Sequence, residues 1–141
     1  MDKRALILFA RKLAAQITPG QSFACLVSDD RALQKLNRDF LGHDYPTDVL
    51  SFPTGHSGIE LGDLAISIER AAAQSLELGH SLIDEIRILM LHGLLHLTGL
   101  DHERDRGEMA RAERKWQATF SLPPVLITRS AARRHFSQET V

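Results

Sequence analysis

The segment His92-Gly93-Leu94-Leu95-His96-Leu97-Thr98-Gly99-Leu100-Asp101-His102 puts three imidazoles into eleven residues, spaced four and then six apart. The four-residue step places His92 and His96 on one face of a helix, about one turn apart. Gly99 supplies the left-handed backbone that ends a helix and turns the chain. His102 then returns to the same point from outside the helix. Two histidines from a helix and one from the following turn make a three-nitrogen site with an open fourth position, the donor set of a catalytic zinc. Zinc is the expected ion, although nickel, cobalt or copper also accept three nitrogens.

The helix that carries this pair reads from Ser81, a capping serine with Asp84 in the reciprocal position, to about Thr98. Leu82, Ile83, Ile86, Leu89, Met90, Leu94 and Leu97 mark its core face, and Ile88, Leu91 and Leu95 make the other side apolar too. A helix apolar nearly all round is central and buried. On its wheel, His92 and His96 fall at one edge of the main stripe, a boundary between core and cleft. Beyond the site, Glu103 to Phe120 reads as a charged helix with Met109, Ala112 and Trp116 inward, ended by Leu122-Pro123-Pro124. Asp101 is either a partner orienting a ligand ring or the cap of that helix. Residues 123–141, with Arg129, Arg133, Arg134 and His135, read as a flexible basic tail.

Upstream, Leu6, Phe9, Leu13 and Ile17 give residues 3–17 the period of an amphipathic helix, stopped by Pro19-Gly20. Ser22 to Ser28 reads as a strand covered on both faces, because Phe23, Cys25 and Val27 share one side and Ala24 and Leu26 the other. Asp29 or Asp30 caps a helix over Ala32–Leu41 with Leu33, Leu36 and Phe40 buried. A polar loop leads to a strand at Val49–Phe52, closed by Pro53. Thr54 to Gly62 is an exposed connection or hairpin, Asp63 to Ile68 a strand, and Glu69 to Leu78 a helix ended by Gly79. Helices interleaved with three or four short strands predict an α+β fold, a small sheet with helices packed on it.

The 141 residues are read as one domain, with 43% hydrophobic and 25% charged residues, ordinary for a globular protein. Cys25 is the only cysteine, which excludes an intramolecular disulfide and a zinc–thiolate cluster, and it reads as a small buried hydrophobe. The apolar run near the N-terminus is broken by Arg11 and Lys12 too early for a secretion signal, and no span reaches membrane length. A cytoplasmic protein with no membrane partner is expected. The formal net charge of −1 does not advertise a polyanion partner, but a local basic face is compatible with it. Of the remaining histidines, His43, His56, His80 and His135 read as ordinary core or surface residues.

The spacing His-x-x-x-His-x-x-Gly-x-x-His matches the long zinc signature of metzincin proteases except at one position. There the residue after the first histidine is glutamate, the base that takes a proton from water at the metal. Here it is Gly93. The substitution argues against peptide cleavage more firmly than it argues for any replacement chemistry, although a phosphodiester depends more on charge neutralisation and alignment than on that carboxylate.

Two motifs resemble the bacterial YbeY family, single-domain metal-dependent endoribonucleases of ribosomal RNA maturation. His92 to His102 resembles the family's zinc motif at each histidine and glycine, with Leu100 where tyrosine is common. Asp44-Tyr-Pro-Thr-Asp-Val-Leu-Ser-Phe-Pro53, preceded by Leu36-Asn37, resembles its second signature, and Gly62-Asp63-Leu-Ala-Ile-Ser67 is similar to the strand between them. The resemblance implies an α+β fold with a small mixed sheet and zinc held by His92, His96 and His102 at the end of a cleft. It also implies single-strand-specific cleavage of RNA, with ribosomal RNA and the small ribosomal subunit as partners and no role for DNA.

Two departures accompany it. Many members carry a phosphate-binding arginine where this chain has Leu41, after Phe40; Arg38, one turn earlier, is the candidate replacement. Members also begin with a strand, for which Met1 to Arg4 leaves little room, so the sheet is expected to lack a full edge strand. Arg31, Lys35 and Arg38 sit at four- and three-residue steps and form a candidate basic stripe, with the tail arginines as further phosphate contacts. The alternatives are a non-catalytic, zinc-containing ribosome assembly factor and a metallopeptidase drawing its base from Asp48 or Asp101.

Overall fold

The computed structural model describes residues 2–55, 58–101 and 105–124. They form a small α+β fold with three strands and five helices. Helix α1, Lys3–Ile17, is capped by Asp2, whose Oδ1 accepts from the Ala5 N–H at 3.1 Å. It buries Leu6, Phe9 and Leu13, the predicted face. Strand β1, Ser22–Ser28, leads to α2, Asp30–Leu41, capped by Asp29 and closed at Gly42 in the left-handed conformation. Strands β2, Val49–Pro53, and β3, Glu60–Ser67, form an antiparallel pair. Helix α3, Ile68–Leu78, is capped by Ser67 and ended by Gly79. Helix α4, Leu82–Leu97, and helix α5, Glu108–Thr119, complete the described chain.

The strand order is β1-β3-β2, with β1 parallel and β2 antiparallel to the central β3, so the sheet is mixed. Side chains alternate between its two faces. Val49, Leu64 and Ile66 join α1 and α4 in the larger core, while Leu50 and Ala65 pack with Leu33 of α2 on the opposite face. Helix α4 is the centre: every residue from Ile88 to Leu97 is buried, and the helix touches α1, α3, α5, β2 and β3. Its cap is as expected, with Ser81 Oγ accepting from the Asp84 N–H at 3.1 Å, but the Asp84 carboxylate bonds Arg87 at 3.3 Å instead of closing a capping box.

Three expectations need correcting. Strand β1 is not covered on both faces; Leu26 is 53% exposed, because β1 ends the sheet and α2 lies over β2 and β3 only. Phe40, expected inside, is 69% exposed and touches Phe52 of β2 edge-to-face at 5.8 Å. Helix α5 is first seen at Glu108, after a turn in which Asp105 accepts from the Gly107 and Met109 N–H groups at 2.9 and 2.7 Å. That takes the capping role considered for Asp101. Cys25 faces the larger core, and burial pushes its thiol up to about 12, as suits an inert small hydrophobe. No helix among the described residues is long and apolar enough to cross a membrane.

Gly62 fixes the approach of β3 to the hairpin and to α4. Its φ is +148°, and a Cβ there would collide with the Phe52 carbonyl oxygen and lie 3.0 Å from Leu97 Cδ2. Gly62→Ala is expected to lose about 2–4 kcal/mol through backbone strain plus overpacking, read as a lowered urea midpoint with an unchanged slope.

Candidate functional site

His92 and His96 lie on the last turns of α4, and their Nε2 atoms approach to 3.1 Å. The rings stand nearly perpendicular, 75° apart. Behind His92, Nδ1 faces Glu113 Oε1 of α5 at 2.5 Å, and both side chains are buried. An ionised carboxylate only accepts, so Nδ1 donates and Nε2 keeps its lone pair on the His96 side. Two imidazole nitrogens at metal distance on a tetrahedral ion stand about 3.3 Å apart. The observed separation fits such an ion, and Glu113 stands where a metal-ligating histidine usually has an outer carboxylate.

Gly99 follows with φ +101°, its N–H donating to the His96 carbonyl at 2.9 Å, so the helix ends and turns where expected. His102 lies outside the described residues, as do His56, His135 and the tail arginines. Among the described residues no group of three His, Cys, Asp or Glu side chains is placed to hold an ion. The two side chains are only 2% and 3% exposed, with Glu113 of α5 against the first ring.

The sequence reading passed over Glu113. It lies on the α5 face that buries Met109, Glu113 and Gln117, whereas Ala112 and Trp116 are half-buried. A carboxylate four residues after Met109, at a buried phase of an amphipathic helix, was the available signal. The helix is held in register at its far end, where Phe120 meets Phe9 of α1 edge-to-face at 5.5 Å and stacks on Trp116.

The other candidates fall elsewhere. Asp48 is buried at the start of β2, and its Oδ2 accepts from Gln74 at 3.3 Å. Asp101 is half-buried. Leu41 packs against the cluster of Leu33, Leu50 and Ala65. Arg31, Lys35 and Arg38 are exposed, with Arg38 Nε 3.2 Å from Asp39 Oδ1. His80 bonds through Nε2 to buried Glu85 at 2.6 Å.

The family profile described as endoribonuclease YbeY matches residues 3–121. The chain belongs to the YbeY family. An endoribonuclease YbeY of Solibacter usitatus is 54% identical over 129 residues, 92% of this chain and 86% of that one. One from Helicobacter pylori is 42% identical over 124 residues, 87% of this chain and 89% of the other. In fold, the chain resembles the solution structure of a Thermotoga maritima protein at TM-score 0.60 and 24% identity, covering 80% of this chain and 77% of that one.

Gly93 has a packing role of its own. A Cβ there would lie 2.8 Å from Leu64 Cδ2, so the position occupied by glutamate in metzincins is here the contact between α4 and β3. Ser51 Oγ also donates to the Gly93 carbonyl at 3.3 Å. Gly93→Ala is expected to destabilise by about 0.5–2 kcal/mol, overpacking outweighing the gain in helix propensity. Gly93→Glu should lose more, and parallel urea titrations of the two variants check the order.

Proposed function

We propose that the protein is a zinc-dependent endoribonuclease that cleaves single-stranded ribosomal RNA during maturation of the small ribosomal subunit, with the metal held by His92, His96 and His102. The observation that carries this reading is the convergence of the His92 and His96 Nε2 atoms at 3.1 Å, with Glu113 behind the first ring, in a chain of the YbeY endoribonuclease family. An ion held there would supply Lewis acidity toward a phosphoryl oxygen and would lower the pKa of water to about 7. Helix α4 supplies two neutral imidazoles from a rigid, buried backbone. Glu113 holds the proton on His92 Nδ1 and so keeps the other nitrogen available. A ribosomal RNA substrate places the activity in the cytoplasm, with RNA rather than DNA as partner.

A second reading is favoured by one observation. Both imidazoles are buried, which suits a closed, structural zinc in a non-catalytic ribosome assembly factor. A peptidase is the weakest reading, because Gly93 offers no carboxylate and faces Leu64.

Purified protein is expected to hold about one equivalent of zinc. His92→Ala and His96→Ala should lose both metal and cleavage of a single-stranded ribosomal RNA fragment. Glu113→Gln should weaken zinc binding by about 10–100-fold in a chelator competition. Cleavage that survives metal removal sinks the nuclease reading as stated. Full metal occupancy with no cleavage, and with normal ribosomal RNA ends in cells carrying His96→Ala, would favour the assembly factor.

A further inference from the structure

We propose that the open edge of β1 pairs with the same edge of a second copy of this chain, joining two sheets across a two-fold axis. Strand β1 ends the strand order, and among the described residues no strand lies beyond it. The two ends of the sheet differ. At the other end Val49, Leu50 and Ser51 of β2 are buried, whereas no residue of β1 is.

Grooves flank β1 on both faces. One, of about 310 Å³, lies against α1 and is lined by Ile7, Ala10, Ala14, Phe23 and Cys25. The other, of about 430 Å³, is lined by Ala24, Leu26, Phe40 and Phe52. A neighbouring strand would send alternate side chains into the two grooves at once. Three of the large exposed hydrophobics, Ile7 at 52%, Leu8 at 53% and Leu26 at 53%, belong to β1 or to α1 beside it. The edge also lacks the usual protection of charge or proline, since it reads Ser-Phe-Ala-Cys-Leu-Val-Ser.

That sequence selects the partner. Its polar and apolar pattern is the same in both directions about Cys25: serine meets serine at 22 and 28, Phe23 meets Val27, and Ala24 meets Leu26. A two-fold interface must complement itself. Antiparallel pairing centred on Cys25 sets each larger apolar side chain opposite a smaller one on the same face, and no charge meets its own copy.

The register provides the test. Ala24→Cys and Leu26→Cys are each made in full-length protein carrying Cys25→Ser. Residue 24 of one copy then faces residue 26 of the other at about 4.5–5.5 Å between Cα atoms, within disulfide range. Oxidation of the mixed pair should give several-fold more cross-linked dimer than either variant alone, whose like positions are diagonal at about 7–8 Å. Light scattering should find wild type dimeric and Leu26→Lys monomeric with unchanged circular dichroism. A monomeric wild type overturns the proposal, as does equal cross-linking in the unmixed samples. A monomer in which the β1 amides that point away from β3 resist hydrogen exchange also overturns it.

Discussion

Helix α4 is enclosed by α1, α3, α5 and the sheet, so its polar side chains must find partners inside the protein. Each one in the buried stretch does. Glu85 meets His80, His92 meets Glu113, and His96 meets His92. The His92–Glu113 bond reaches between two helices and therefore fixes their relative rotation as well as one imidazole. Apolar packing alone tolerates some sliding of one helix on another; a 2.5 Å bond between buried groups does not. The site's geometry and the packing of α5 are one constraint.

The same enclosure explains what the site lacks. A base at position 93 would have to occupy the surface where the helix meets Leu64, and there a Cβ alone would lie 2.8 Å from Leu64 Cδ2. Gly93 therefore brings the helix close to the sheet, and Ser51 uses that proximity to bond its carbonyl. For the proposed chemistry, the group that accepts a proton from water belongs to another element, to the substrate or to solvent.

The termini of the elements were legible because they are local. Asp29, Ser81, Gly79 and Gly99 act on their own neighbours, and the structure uses them as read. The imidazole pair was legible for the same reason, being four residues apart on one helix. Exposure was not. Alternation in β1 separates Ala24 and Leu26 from Phe23, Cys25 and Val27, but it does not say whether anything covers the first set; that depends on where α2 crosses the sheet. Glu113 was missed because its partner lies 21 residues away, and an amphipathic reading assigns a carboxylate to solvent unless a buried partner is known.

The resemblance leads one to expect an arginine where this chain has Leu41. Leu41 extends the cluster under α2 and brings no charge to it. Arg38 is the cation one turn earlier, and its pairing with Asp39 is no obstacle to RNA. The side chains are 52% and 43% exposed at 3.2 Å, and such a pair is worth about 0–1 kcal/mol in water. A phosphate offers the same guanidinium a bidentate, charge-assisted partner. Exchange of Asp39 for phosphate therefore costs little. In the proposed nuclease, Arg38 would trade that carboxylate for a phosphate, a contact that weakens as salt rises.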